Sequence, residues 1–136
     1  MINAVGSTLS RYSDELLSIL RIVSAFMFMQ HGTQKMFGFP VEANAPYELM
    51  TLVPGLAGLL EVVGGLLLLV GFYTRTTAFV LSGMMAVAFW MAHSGPNLFL
   101  WAVANRGEAA ALYCFLFLYF AAVGGGKWSI DGMRNG

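Results

Sequence analysis

The chain has 136 residues, of which 58% are hydrophobic and 10% are charged, and its formal net charge is zero. An average soluble domain has about 25% charged residues, and a domain of this size cannot bury so much apolar surface, so the composition excludes an ordinary soluble fold and indicates a membrane protein. The neutral net charge gives no reason to expect nucleic acid as a partner, and the lone Cys114 excludes an internal disulfide and a CxxC redox motif.

Four apolar segments are long enough to cross about 30 Å of hydrocarbon as helices. They cover residues 16–37, 54–72, 77–93 and 108–123. The second and third segments are joined only by "YTRT", which predicts an antiparallel hairpin. We therefore expect an all-α membrane protein of one domain, residues 1–136, in which four transmembrane helices form an up-down antiparallel bundle. The connection over residues 38–53 either lies on the membrane surface as a lid or serves only to join two spans.

The basic residues are distributed unevenly between the two sides of the predicted membrane. One side holds Arg11, Arg75, Lys127 and Arg134, with Arg21 nearby, whereas the other side holds Lys35 and Arg106. Cytoplasmic loops of membrane proteins carry the excess of Lys and Arg. Both termini are therefore expected in the cytoplasm.

The first apolar segment contains "RIVSAFMFMQHGTQKMF", residues 21–37, in which polar groups interrupt a hydrophobic span. On a helix, Arg21, Ser24, His31 and Lys35 fall within a sector of roughly 80°, together with Phe28. A charge that faces lipid costs at least ~2.5 kcal/mol, so this stripe is predicted to face the interior of the bundle.

The second segment combines small residues with one carboxylate on a single face: Pro54, Ala57, Gly58, Glu61, Gly64, Gly65 and Leu68. Small residues allow membrane helices to approach closely. The same construction predicts inward faces for the third segment (Phe79, Ser82, Ala86, Phe89, Trp90 and His93) and for the fourth (Glu108, Ala111, Leu112, Phe115 and Tyr119). His31 and Glu61 lie roughly 10 Å below the outer ends of their helices, while Lys35, His93 and Glu108 lie nearer those ends. The polar groups should therefore converge in the outer half of the bundle.

Several short sequences along the chain resemble the DoxX family of small four-span membrane proteins. They are Arg21 with "HGTQK" (31–35), "GLLEVVGG" (58–65) followed by "GFYTR" (71–75), "NRGE" (105–108) and "GGGKWSIDG" (124–132). The resemblance implies a multi-pass protein of the bacterial inner membrane. The family takes its name from a subunit of a membrane thiosulfate:quinone oxidoreductase, other members are linked to redox-stress complexes, and many have no assigned activity. A fold is inherited across such a family more safely than a function.

Three interpretations of the polar cluster are open. In the first, the charges are structural: Arg21, His31, Lys35, Glu61 and Glu108 pair to fix helix register. The basic partner of Glu61 is then expected to be His31, which is nearest in depth, followed by Lys35 and Arg21. In the second, the cluster binds a small hydrophobic ligand, most plausibly a quinone, through His31, Lys35, Glu61, Trp90, His93, Glu108 and Phe115. The third, haem held by His31 and His93, ranks well behind these two. No pattern indicates a metal site.

The expected function is a redox-associated subunit of the inner membrane. The chain has no cysteine pair, flavin motif or metal cluster, so any catalysis would need redox partner subunits, and enzymatic activity of this chain alone stays an open question. The other expected partners are membrane lipid and a second copy of the chain. The alternative function is a non-catalytic scaffold or anchor that recruits redox or stress-response proteins, with purely structural buried charges.

Overall fold

The computed structural model describes residues 2–92, 101 and 106–135, and this part of the chain is helical without a strand. The elements are α1 (Ile2–Ser10), α2 (Ser13–Phe37), a kinked helical turn (Leu52–Leu56) that leads into α3 (Ala57–Val70), α4 (Thr74–Ala92), α5 (Glu108–Val123) and α6 (Ile130–Asn135). The four long helices match the four predicted segments to within about three residues at each described end. The short helices α1 and α6 were not predicted.

Glycines end α2 and α3. Gly38 follows α2 with a φ of 65°, and Gly71 follows α3 with a φ of 72°. A residue without a Cβ adopts this left-handed conformation at little cost, so it both stops the helix and turns the chain. At the start of the kinked turn, the side chain of Thr51 accepts a hydrogen bond from the Gly55 N–H at 3.1 Å.

Consecutive long helices run in opposite directions. Along the α2–α3 contact, the C-terminal end of α2 at Lys35 lies beside Gly58, whereas its N-terminal half at Arg21 lies beside Gly71. Leu81 of α4 occupies the space next to Gly64 of α3. Between α4 and α5, the Ser82 hydroxyl donates to the Cys114 carbonyl at 2.6 Å, and Arg75 donates to the Ala122 carbonyl near the opposite end of the pair.

Two helical stretches, Ser13–Phe37 and Leu52–Val70, are long and apolar enough to cross a membrane, and Glu108–Val123 is a shorter apolar helix. These lengths and compositions are consistent with a membrane protein.

The core of the bundle is aromatic where α2 meets α5. The ring of Phe28 stands edge-on to Phe117 and to Tyr113, with centroid distances of 4.9 and 5.3 Å. Such pairs add about 0.5–1.5 kcal/mol each beyond the burial of their area. Phe120, Leu68 and Leu81 belong to the same buried core.

The predicted inward face is correct for α3 and wrong in part for α4 and α5. Gly58, Glu61, Gly64, Gly65 and Leu68 of α3 are buried as expected. On α4 and α5, the structure places several large residues of the predicted inward faces on the outside of the bundle: Phe79, Trp90, Leu112, Phe115 and Tyr119. Other residues turn inward instead: Ala78, Leu81, Met85, Ala110, Tyr113, Phe117 and Phe120. These two helices are apolar on nearly every side, so a large ring on the outer surface meets no penalty in lipid.

Candidate functional site

A cavity of about 590 Å³ lies where α2 ends and α3 begins, and we call this the cavity end of the bundle. Four of its lining residues are polar or charged: His31, Lys35, Glu61 and Arg106. The remaining walls are hydrocarbon or aromatic and come from every long helix: Phe28, Val53, Ala57, Met84, Met85, Ala88, Met91, Ala109, Ala110 and Tyr113. The cavity is therefore a largely apolar space with a few convergent polar groups.

Glu61 and Lys35 form an ion pair in the cavity wall. The Lys35 ammonium nitrogen lies 2.6 Å from Oε1 of Glu61, and the two side chains are 28% and 3% exposed, respectively. Their helices meet closely because Gly32 of α2 faces Glu61: a Cβ added at Gly32 would lie 2.8 Å from the Cβ of Glu61. The depth of the residues favoured His31 as the partner of Glu61, but Lys35 takes this place because its long, flexible stem reaches down the helix.

The second carboxylate oxygen of Glu61 differs from the first. Oε2 is buried and has no hydrogen-bond partner among the described residues. A buried acceptor without a donor costs about 1–3 kcal/mol, so native proteins generally supply one.

His31 lies one helical turn before Lys35 and lines the same cavity from an exposed position. Its ring stands edge-on to Tyr113, with the two centroids 6.3 Å apart. Sequence reasoning missed Tyr113 as a wall of the site. The hydroxyl of Tyr113 could have indicated this position, because a buried tyrosine usually needs a polar partner and therefore tends to lie near a polar group.

The structure brings together three of the seven predicted ligand-binding residues: His31, Lys35 and Glu61. Phe115 is 70% exposed and Trp90, which packs edge-on against Phe89, is 58% exposed. Glu108 is also exposed, and none of these three lines the cavity. His93 lies outside the described residues. Phe115 was expected as a wall, but Tyr113, two residues earlier on α5, occupies that place.

Arg21 is fully buried at the other end of the bundle, away from Glu61. Its guanidinium donates to the carbonyl oxygens of Gly125 and Trp128, the latter at 2.8 Å, and lies 3.5 Å from the Leu69 carbonyl. Arg21, the last of the three candidate partners of Glu61, therefore contacts backbone carbonyls, while Lys35 pairs with Glu61. The partners of Arg21 come from a segment more than 100 residues later in the chain, which helix geometry within α2 cannot reveal.

Residues 124–135 form a structure at this end that we call the C-terminal clasp. Besides Arg21, Ser18 binds it by accepting a hydrogen bond from the Trp128 N–H at 3.1 Å. The carboxylate of Asp131 accepts from the backbone N–H groups of Tyr73 and Thr74, at 3.0 and 2.8 Å, and so caps the start of α4. The clasp thus ties the "GGGKWSIDG" sequence to "GFYTR" and to the first half of α2.

Hydrogen bonding and charge pairing shift two pKa values in the clasp. Partial burial raises the pKa of Asp131, but the hydrogen bonds from Thr74 and Tyr73 outweigh this effect, so the pKa lies below its ordinary value. The ion pair with Glu15 raises the pKa of Lys127. The described residues contain no group of three or more His, Cys, Asp or Glu side chains that could hold a metal ion.

Comparisons with known proteins give a consistent assignment. The DoxX family model matches residues 16–94. An uncharacterized protein of Haemophilus influenzae is 42% identical over 130 residues, which cover 92% of this chain and 95% of that protein. The inner membrane protein YqjF of Escherichia coli is 30% identical over 139 residues, covering 93% of this chain and 98% of YqjF. No solved structure matches the chain.

Proposed function

The chain belongs to the DoxX family, and from this premise we propose that it is a bacterial inner-membrane protein with four spans, α2 to α5. The printed name of the Escherichia coli relative supports the location. The antiparallel contacts between consecutive helices support the four spans. Helix α4 packs on α3, and α5 packs on α4 and meets Phe28 of α2, so both lie against helices that are long enough to cross a bilayer.

The orientation in this proposal places the clasp end in the cytoplasm. Arg21, Arg75 and Lys127 contact groups at the clasp end, whereas Lys35 and Arg106 line the cavity at the opposite end. The positive-inside rule then puts both termini inside. Reporter fusions to both ends test this orientation, and a periplasmic signal from either end would contradict it.

We propose that the cavity binds a small, mainly apolar molecule with a polar head, of the quinone type. One observation carries this proposal: a buried carboxylate, its ammonium partner and an imidazole line one face of a cavity that is otherwise apolar. Ligand sites usually have this composition, and ionisable residues within membrane spans usually serve a function.

The cavity residues suit the two parts of such a ligand. His31 and Arg106 offer N–H donors to a head group, while the methionine and alanine side chains in the lining, such as Met84 and Met91, offer apolar walls to the rest of the molecule. An apolar tail would remain in the hydrocarbon of the bilayer. A redox role on this site requires an electron donor, and we propose that a partner subunit supplies it. The chain would then act as a membrane subunit of an oxidoreductase.

A second function is favoured by the clasp. The NH1 and NH2 groups of the buried Arg21 donate to backbone carbonyls, and these contacts support a structural purpose for this charge inside the bundle. If the Lys35–Glu61 pair has the same purpose, the protein is a scaffold or anchor that recruits redox or stress-response proteins to the membrane.

Analysis of the purified protein separates the two functions. We expect solvent extraction of the protein, purified in mild detergent from its native membrane, to release a quinone-type molecule in an amount comparable with the protein. A Soret band in the absorbance spectrum would instead identify haem. The absence of both would contradict the ligand-binding function and favour the scaffold.

A further inference from the structure

The charged residues in the lining of the cavity do not balance. Among the described residues, the lining has two cations, Lys35 and Arg106, and one carboxylate, Glu61. The ion pair at 2.6 Å neutralises Lys35, whereas Arg106 has no carboxylate partner in the part of the chain that the structure describes. Residues 93–105, which directly precede Arg106, contain no Asp or Glu in their sequence. One positive charge in the lining therefore remains without a counter-ion.

The other carboxylates at this end of the bundle lie outside the cavity. Glu42 and Glu48 belong to the connection over residues 38–53, and Glu108 begins α5. All three are exposed, and none of them lines the cavity. The charges of exposed groups are screened by salt within about 10 Å, so these carboxylates do not replace a counter-ion inside the cavity.

Two donors of the lining are accessible, because Arg106 and His31 are exposed residues that both line the cavity. The backbone of Arg106 has a φ of 61°, a left-handed conformation that residues with a Cβ rarely adopt and that is concentrated at functional sites. A guanidinium group offers several N–H donors in a planar fork, and the imidazole adds an N–H. An anionic oxygen forms stronger hydrogen bonds with a cationic donor than a neutral oxygen does.

From the unbalanced charge and the accessible donors we infer that the cavity selects a ligand with an anionic head, which Arg106 binds as its counter-ion. Within the quinone type, this class consists of quinones with an acidic hydroxyl on the ring, which is deprotonated at neutral pH. Met84, Ala88 and Met91 form walls for the apolar part of such a molecule. This inference rests on the proposed function, because it assumes that the cavity binds a ligand, and adds the charge of the head.

The test uses two quinones that differ in charge. The probes are 2-hydroxy-3-hexyl-1,4-naphthoquinone, an anion at neutral pH, and its neutral 2-methoxy derivative. Quenching of tryptophan fluorescence gives the dissociation constants of both probes for the full chain and for Arg106→Gln in one detergent. The ratio of the two constants is compared between proteins, because the partition of each probe into micelles is the same for both. Relative to Arg106→Gln, the wild type should favour the anion by about fivefold or more, the effect of one solvent-accessible ion pair.

A matched control and a salt titration complete the test. Arg11→Gln removes an exposed arginine outside the cavity and should keep the ratio of the wild type. Added salt should reduce the preference of the wild type for the anion, since Arg106 is exposed.

The outcomes separate the inference from the proposed function. Saturable binding with the same ratio in the wild type and Arg106→Gln would overturn the inference and leave the proposed function standing. No saturable binding of either probe to the wild type would overturn both. If Arg106→Gln does not fold, the salt titration decides, because a ratio that does not change with salt would overturn the inference.

Discussion

The two partners of the Lys35–Glu61 ion pair are buried to very different extents. Glu61 is enclosed by α2 and α3, whereas the ammonium of Lys35 reaches the pair from the more open end of α2. Breaking a buried pair is costly mainly because the remaining charge is stranded. The two residues should therefore respond differently to replacement, since a stranded lysine can turn toward solvent and a stranded Glu61 cannot.

We predict that Lys35→Met destabilises the protein more than Glu61→Gln. Loss of Lys35 strands a carboxylate, which costs up to ~3–5 kcal/mol, whereas loss of Glu61 leaves a lysine that escapes to the aqueous end of the cavity. Thermal unfolding in detergent measures both variants, and the double variant should recover most of the loss caused by Lys35→Met. Equal melting temperatures of the two single variants would show that Glu61 is solvated.

The stability of the clasp depends on pH through the carboxyl group of Asp131. Its folded-state pKa lies below its ordinary value of about 3.9, because hydrogen bonds to Tyr73 and Thr74 favour the ionised form. A group of this kind stabilises the fold above its unfolded pKa, and the contribution is lost as the pH falls through the folded pKa.

We predict that Asp131→Asn lowers stability at pH 7 by about 1 kcal/mol, because the amide NH₂ cannot accept one of the two backbone hydrogen bonds that the carboxylate accepts. The difference between wild type and variant should shrink as the pH falls below about 4 and the wild-type carboxyl becomes protonated. Melting temperatures measured from pH 7 to pH 3 provide the test. A difference that stays constant over this range would mean that the charge of Asp131 contributes nothing to the clasp.

At the level of the helices, the contact between α2 and α3 depends on glycines. A Cβ added at Gly65 would lie 2.9 Å from the Cβ of Met29 and 3.2 Å from its Cα, so the two backbones leave no room for a side chain. Gly83 on α4 offers the opposite case, because nothing lies within 4 Å of an added Cβ.

We predict that Gly65→Leu lowers the melting temperature in detergent, because it forces α2 and α3 apart and disturbs the ion pair beyond them. Gly83→Leu is the matched control and should leave stability unchanged or improve it slightly, since leucine is the better helix former. A Gly65→Leu variant as stable as the control would show that α2 and α3 do not pack through this face.

The sequence contains enough information to orient α3 but not α5. On α3, glycines and one glutamate mark a face that differs chemically from the rest of the helix, and this face is buried as predicted. On α5, aromatic and aliphatic residues surround the helix, so no period distinguishes Tyr113, which faces inward, from Phe115, which faces outward. The hydrogen-bond partner of Arg21 could not be predicted from the sequence either, because it lies in the distant C-terminal clasp.

In the whole molecule, polar and charged side chains lie at two ends of the bundle, the clasp end and the cavity end, and their surroundings differ. At the clasp end, Arg21 donates to backbone carbonyls and Asp131 caps α4, while Nε of Arg21 and the Thr74 hydroxyl are buried without a hydrogen-bond partner in the described part of the protein. At the cavity end, His31 lines an open space, and one oxygen of Glu61 has no partner in the described part of the protein. What distinguishes the cavity end is that its polar groups line a largely apolar cavity, and this composition supports a ligand there.

A titration of a short-chain quinone analogue against the wild type and His31→Phe tests the ligand site most directly. Phenylalanine nearly preserves the volume of His31 but removes its donor, so folding should survive while affinity falls roughly threefold to tenfold. The control Phe115→Leu changes a ring on the outer surface of α5 and should bind like the wild type. We predict saturable binding to the wild type with this order of affinities, and an absence of saturable binding to the wild type would contradict the ligand site.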